Sequence, residues 1–357
     1  MMVRTCVALA ASTLFAGVAH AAPLTADEML KQFNVVVKGD MTSTSHVDGR
    51  TYVAGNLQGG DYVQHASDTA KSAYAGLTVG GSASGNLHVN GLGAVVGGSA
   101  NGIIVNTGEA YVGGSATSST FNGDAWVAGA ATNVNFNGGG HAASYSGTNN
   151  NRPLASTTAV MDAARAAATS TDFSNVINNM STKLAALKGT ENAAVDITGN
   201  KVTFSGTGNA NGVLVFDLTT LDSQIFSSNI GEFAFSLTNA STVIFNTDNK
   251  VLSLSANILA PNNLGSSLIW NFAGATSVTV DRTFVGQVVV ADGTFSNLGG
   301  ANVEGGVYAK AFNQQGEVHL QQFSGSLATA VPEAETYAMM LAGLGMLGCM
   351  ARRRKQA

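Results

Sequence analysis

The histidines and acidic residues are the side chains of this chain that could do chemistry. A zinc site needs ligands at short, recurring spacings, and a glycosidase needs two carboxylates on one face. The sequence shows neither arrangement, and no H-E-x-x-H, C-x-x-C, G-x-S-x-G or P-loop pattern occurs. We therefore predict no catalytic residue, no metal ligand and no cofactor. The residues considered are His46, His65, His88, His141 and His319, with the scattered acids Asp40, Asp48, Asp61, Glu109, Asp124, Asp217 and Asp281.

Two alternatives stay open for these side chains. Folding could bring scattered acids together, so a polysaccharide-active enzyme remains an alternative. Calcium binding by Asp48, Asp61 and Asp124 is the other, although no Gly-Gly-x-Gly-x-Asp repeat or EF-hand loop supports it. The segment 343–348 fits G-x-G-x-x-G but follows no strand, so close helix packing in a membrane explains its glycines better.

Composition excludes several classes of protein. Only 11% of the 357 residues are charged, and the net charge of −5 gives no electrostatic reason to bind nucleic acid. Hydrophobic content of 45% argues against disorder. The two cysteines, Cys6 and Cys349, lie in apolar terminal segments, so disulfides do not hold the body together.

Residues 1–21 have the layout of a signal peptide. Arg4 provides the positive start, an apolar core follows, and Ala19-His20-Ala21 forms an A-x-A cleavage site at Ala19 and Ala21. The pattern predicts export of the body that follows.

Residues 331–357 form a motif, an apolar segment and a basic end. Val331, Pro332 and Glu333 precede an apolar run from Tyr337 to Ala351, which we interpret as a single membrane helix although it is short for a span. The basic residues after it favour a cytoplasmic end. The segment resembles the PEP-CTERM sorting signal, with Ala334 where a second proline is usual. The resemblance implies an exosortase-type membrane protease as processing partner. The basic cluster is Arg352, Arg353, Arg354 and Lys355.

Residues 76–138 contain a repeat that organises the body. Segments such as Ala94–Ala100 and Ala110–Ala116 recur roughly every 16 residues, with short apolar runs bounded by Gly, Asn and Ser. The runs suit short strands, and stacked coils of such strands share one core. We predict a mainly β fold, a β-solenoid, in which Val96, Val112 and Val127 occupy equivalent inward positions.

A helical insertion at about 153–188 interrupts the β pattern. Pro153 can start a helix, and apolar residues from Phe173 to Leu187 recur at helical spacing. We expect this amphipathic segment to lie along one flank of the solenoid. A docking site for a partner helix is the rarer alternative. We expect 138–153 to be a polar loop that closes the first β section.

The body from about Gln32 to Gly325 resembles the choice-of-anchor A family of adhesive modules. The resemblance is carried by the run from Phe33 to Leu57, by Ile269-Trp270-Asn271-Phe272, and by the later Gly305-Gly306 and Glu317-Val318-His319 segments. It implies an ice-binding-like β-solenoid with a helix alongside, for which we assign a domain over 22–329.

The function expected from these signals is non-catalytic adhesion at the cell surface or in an extracellular matrix. The body would be membrane-anchored in passing, and its ligand would be an exopolysaccharide or matrix component. The alternatives are an ice-binding protein and the enzyme named above. Thr78, Thr107, Thr117 and Thr120 keep no constant place in the repeat, which weighs against ice binding.

Overall fold

The computed structural model describes residues 22–260 and 263–327, which form a mainly β structure. The predicted signal peptide and sorting segment lie outside the described residues. The helices are α1 (Ala26–Gln32), α2 (Ala159–Ala168), α3 (Phe173–Ala185) and α4 (Asp222–Ile225), with a 3-10 turn at Leu264–Ser266. The strands up to residue 150 are β1 (Val35–Val37), β2 (Met41–Ser43), β3 (His46–Val47), β4 (Thr51–Val53), β5 (Leu57–Gln58), β6 (Asp61–Tyr62), β7 (Leu77–Val79), β8 (Ala83–Val89), β9 (Ala94–Val96), β10 (Ala100–Val105), β11 (Ala110–Val112), β12 (Ala116–Thr117), β13 (Thr120–Phe121), β14 (Ala125–Val127), β15 (Ala130–Thr132), β16 (Asn135–Phe136), β17 (Gly140–His141), β18 (Ser144–Ser146) and β19 (Asn149–Asn150). The later strands are β20 (Ala194–Thr198), β21 (Lys201–Thr207), β22 (Val213–Asp217), β23 (Glu232–Thr238), β24 (Thr242–Thr247), β25 (Val251–Leu254), β26 (Asn257–Leu259), β27 (Leu268–Phe272), β28 (Ser277–Val280), β29 (Phe284–Asn297), β30 (Val303–Gln314) and β31 (Val318–Leu320).

Three short strands make one coil in the first half of the chain, and successive coils stack in parallel. Strands β11, β12 and β13 pair with their equivalents β14, β15 and β16 in the next coil. The predicted repeat register is confirmed, because Val112 pairs with both Val96 and Val127 and all three are fully buried. Parallel stacking of equivalent residues gives the solenoid-like fold its continuous core.

Each coil contributes one strand to each of three faces. The helix-covered face contains β1, β4, β7, β9, β11, β14 and β17. The polar face contains β2, β5, β12, β15 and β18, with the starts of β8 and β10. The histidine face contains β3, β6, β13, β16 and β19, with the ends of β8 and β10.

The second half repeats this arrangement with longer coils and an aromatic core. Strands β23, β24 and β25 pair in parallel with β26, β27 and β28. Inside these coils, Phe245 stacks on Trp270 with a ring-centroid distance of 4.0 Å and on Phe216 at 4.9 Å. Strand β20 folds back on β21 as an antiparallel hairpin.

The first and last coils are neighbours in the middle of the stack. Val35, Val36 and Val37 of β1 pair on one side with β30 and on the other with β4. Strand β2 also pairs with β30, and β3 pairs with β31. We call this junction the seam. The middle of the sequence, near β19 and β22, therefore supplies the two ends of the stack.

The helices cover one face of the stack, as expected for the amphipathic segment. Helix α2 packs on β9 and β11, and α3 packs on β24, β27 and β29. Phe173, Ile177 and Leu184 of α3 are buried in one cluster with outward residues of the strands beneath, including Ile244 and Ile269. The helical segment thus runs from coils of the first half to coils of the second half, and its apolar stripe is covered by the solenoid.

One local expectation is wrong. Residues 138–153 do not form a polar closing loop, because β17, β18 and β19 add a further coil there and pair with β14, β15 and β16. Asp48-Gly49 forms the corner between β3 and β4, since those strands pair in parallel with other coils and not with each other. Glycine and asparagine occur both in loops and in the corners of solenoid coils, so composition alone does not distinguish the two structures.

Candidate functional site

The polar face carries one row of outward polar residues along the whole stack. Each residue pairs in register with the next, and every one bears a hydroxyl or an amide. Most are exposed or half-buried, whereas Ser296 is 9% exposed. We call this set the polar row: Ser253, Thr279, Ser296, Asn313, Thr42, Gln58, Ser84, Asn101, Thr117, Thr132 and Ser146.

Strand geometry makes the polar row long and regular. Neighbouring strands lie about 4.8 Å apart, so ten steps span about 48 Å. The period-two alternation of a strand keeps the side chains of the row pointing outward. In β2, for example, Met41 and Ser43 on either side of Thr42 point inward and are buried. Helices α1, α2 and α3 pack on another face of the stack. Such a surface can donate and accept hydrogen bonds at a fixed spacing, but it offers no strong acid, base or nucleophile.

The histidine face carries a second arrangement at the seam. His319 of β31 lies between two carboxylates: its Nδ1 is 2.6 Å from Glu304 Oε1, and its Nε2 is 2.6 Å from Glu317 Oε2. From the first coil, His46 Nδ1 is 3.7 Å from Glu317 Oε1, and His46 Nε2 is 3.6 Å from Asp48 Oδ1. We call these five residues the seam cluster. It joins groups that are some 270 positions apart in the sequence.

Backbone pairing explains why these residues meet. Val47 of β3 pairs with Val318 of β31, which sets His46 beside Glu317, and Glu304 pairs directly with His319. Asp48 is 5% exposed, and its Oδ2 accepts a hydrogen bond from the Leu320 amide at 3.0 Å.

The electrostatics of the seam cluster favour charge on Glu317 and His319. The hydrogen bond from His319 lowers the pKa of Glu317 from its ordinary value. For His319, burial lowers the pKa, but hydrogen bonds to Glu317 and Glu304 outweigh it and the net shift is upward. Among the described residues, His46, Glu317 and His319 are the group whose ligand atoms, all within 4.8 Å of one another, could hold a metal ion.

Comparison with protein families assigns the body of the chain. A family model described as "Putative Ice-binding-like adhesive domain" matches residues 26–320. The chain belongs to this family. The matched range contains every described strand, and with them the polar row and the seam cluster.

A second model, the PEP-CTERM protein-sorting motif, matches residues 330–355. This confirms the resemblance drawn from Val331, Pro332 and Glu333 and from the Arg352 to Lys355 cluster, although these residues lie outside the described part of the chain. An adhesive domain followed by this motif indicates an exported cell-surface protein sorted by exosortase-type machinery.

No curated protein and no solved structure matches this chain. Within residues 22–260 and 263–327, none of the helices has the length and apolar character to cross a membrane. The predicted cleavage residues Ala19 and Ala21 and the apolar run from Tyr337 lie outside those ranges.

The structure brings together residues that sequence reasoning left apart. In the sequence, His46 and His319 have no zinc-type spacing to another ligand, and Asp48 is one of the scattered acids. The available signal was Glu317-Val318-His319, an i, i+2 pair that a strand places on one face. Asp124 binds Arg152 and Asp281 accepts from Ser255, so these acids stay away from the seam.

Proposed function

We propose that this exported surface protein is a non-catalytic adhesin whose polar row binds a hydroxyl-rich polymer, such as an exopolysaccharide of a biofilm or matrix. The observation that carries the proposal is the in-register polar row. A polymer with repeating hydroxyls can hydrogen-bond to many of its residues at once. Individually weak contacts then add to useful avidity.

A steric block on the row tests this function. In Thr42→Tyr and Thr117→Tyr, a ring rises from the exposed face and should hold the polymer away. Thr120→Tyr is the matched control, because Thr120 points outward from the same coil as Thr117 but on the histidine face. The full chain is assayed on a glycan array and on extracted matrix polysaccharide. We expect at least a tenfold loss of apparent affinity for the row variants, about 1.4 kcal/mol, and no loss for the control. Equal binding by all three variants would contradict the proposal.

Ice binding is the second candidate, and one observation favours it. Thr42, Thr117, Thr132 and Thr279 share the polar row. Of the threonines compared in the sequence, Thr78, Thr117 and Thr120 lie on three different faces. Longer side chains such as Gln58 interrupt any flat threonine array. Thermal hysteresis and ice recrystallisation assays of the same variants distinguish the two functions. If the unmodified chain inhibits ice growth but binds no polysaccharide, and Thr42→Tyr loses the ice activity, the protein is an ice binder and not an adhesin.

We further propose that the sorting segment is processed. Membrane insertion of the run from Tyr337, with Arg352 to Lys355 in the cytoplasm, would place Val331-Pro332-Glu333 at the outer boundary of the membrane. Pro332 keeps the preceding residue extended, which suits a protease cleft. Deleting Arg352 to Lys355 should abolish processing in a host with an exosortase, whereas Ala334→Pro should preserve or improve it. A full-length, membrane-bound product unaffected by both changes would indicate a plain anchor.

A further inference from the structure

We propose that the seam cluster is a binding site for a borderline transition-metal ion, of which Zn²⁺ is the representative, with His46, Glu317 and His319 as ligands. Two imidazoles and one carboxylate form a donor set that zinc accepts in proteins. Calcium and magnesium prefer oxygen ligands alone, so this set selects against them. The inference is independent of the polar row, which lies on another face.

The distances suit such an ion. Ligand atoms about 2.0–2.1 Å from a tetrahedral zinc are about 3.3 Å from one another. Here His319 Nε2 and Glu317 Oε2 are 2.6 Å apart, and His46 Nδ1 and Glu317 Oε1 are 3.7 Å apart. These two separations run to different oxygens of Glu317. With one ligand atom taken from each residue, the three atoms all lie within 4.8 Å of one another. The side chains of His46, Glu317 and His319 are 30%, 39% and 32% exposed, so an ion can reach them from solvent.

The outer contacts of both histidines are a second, independent observation. A metal-ligating histidine usually donates its other ring N–H to a carboxylate or carbonyl, which fixes the ring. The outer nitrogen of His319, Nδ1, faces Glu304 at 2.6 Å, and Glu304 in turn accepts from Gln321 Nε2 at 2.9 Å. The outer nitrogen of His46, Nε2, faces Asp48 at 3.6 Å. Both rings are thus backed by a carboxylate, while their inner nitrogens converge on Glu317.

The position of the site suggests what the ion does. His46 belongs to the first coil, and Glu317 and His319 follow the last long strand, so one ion would bridge the two coils at the seam. Strands β3 and β31 share a short pairing there, Val47 with Val318. An ion that binds the folded state alone would stabilise this junction by mass action.

Titration of the full chain with zinc and cobalt, after removal of metal by chelator, tests the site. The full chain is kept in mild detergent. We expect one ion per chain, a visible cobalt spectrum typical of a low-coordinate nitrogen and oxygen site, and a melting temperature that rises with zinc. The His46→Ala and His319→Ala variants should each bind zinc at least about 100-fold more weakly, and Glu304→Gln about tenfold more weakly with unchanged stoichiometry.

His88→Ala is the matched control. His88 lies on the same face and its Nδ1 is 2.6 Å from Asp61, but it is outside the cluster. Zinc affinity should not change in this variant. The proposal is overturned if the unmodified chain takes up no stoichiometric zinc and shows no cobalt spectrum, a result that needs no folded variant. An equal loss in His88→Ala and His46→Ala would also overturn it, because binding would then be unspecific.

Discussion

The two halves of the stack build the same three-faced coil with different cores. In the first half, alanine and valine recur at the inward positions, such as Ala94, Val96, Ala110 and Val112. In the second half, the corresponding interior is filled by large rings such as Phe245 and Trp270. Small identical side chains allow short, repeated coils, whereas large rings need a wider coil and mutual fitting. A solenoid can therefore be stabilised by repetition or by close aromatic packing.

The largest effect should come from placing a charge in the repeated core. Val112→Asp buries an unpaired carboxylate between Val96 and Val127 and should lower the free energy of unfolding by more than about 4 kcal/mol. Urea denaturation of the full chain measures it. Thr117→Asp, on the exposed row of the same coil, should change stability by less than about 0.5 kcal/mol. If Val112→Asp left the free energy of unfolding unchanged, the strand register of the repeat would be wrong.

Cavity formation should separate the two kinds of core. Trp270→Ala removes a ring stacked on Phe245 and leaves the Val285 carbonyl without its indole donor at 2.9 Å. We expect a loss of about 3–5 kcal/mol, against about 2 kcal/mol for Val112→Ala. The comparison is made by urea denaturation with both variants. If Val112→Ala cost as much as Trp270→Ala, the distinction between repetition and fitted packing would fail.

The seam should respond at an intermediate level. Asn34 is 1% exposed; its Nδ2 donates to the carbonyl of Gly305 at 2.5 Å, and its Oδ1 accepts from the Gly49 amide at 2.9 Å. Asn34→Ala leaves these buried groups unpaired and should cost about 1–3 kcal/mol. Asn135→Ala, exposed on the histidine face, is the control and should cost less than about 0.5 kcal/mol. Equal unfolding midpoints in the two variants would mean that the seam is not joined by this side chain.

The smallest effect should come from the corner ladder of the repeated half. Ser99 Oγ accepts from the Ser115 amide at 3.2 Å, and the Ser99 amide donates to Ser82 Oγ at 3.1 Å. Water can replace an exposed acceptor, so Ser99→Ala should cost about 0.5 kcal/mol. Differential scanning calorimetry measures the change in stability, with Thr117→Ala as the control variant. A loss above about 2 kcal/mol would show that corners, and not the core, dominate the first half.

The regular half was the easier one to predict. Because each coil repeats the sequence of the one before it, the repeat predicts equivalent inward positions for Val96, Val112 and Val127. The structure confirms these positions. In the second half, the sequence offered the run Ile269-Trp270-Asn271-Phe272 within β27, but it did not indicate that β27 pairs with β24, because coils of unequal length leave no period to follow.

The seam cluster could not be predicted for a different reason. Pairing of β3 with β31 is a long-range event with no local signal, since either strand alone is two or three residues long. Glu317-Val318-His319 indicates a shared face, but nothing in the sequence indicates that His46 lies opposite. The sorting motif, in contrast, is a local pattern, and the family match over residues 330–355 confirms the resemblance drawn from it.

The seam also determines when the stack can be completed during export. A chain that emerges from its N-terminus delivers β1 long before its partner, because Asn34 and Gly305 are 271 positions apart. Until β30 arrives, β1 exposes an unpaired parallel edge, the kind of surface on which chains aggregate. Closure at such separation is intrinsically slow. Any chain truncated before residue 303 would keep that edge open, whatever the quality of its remaining coils.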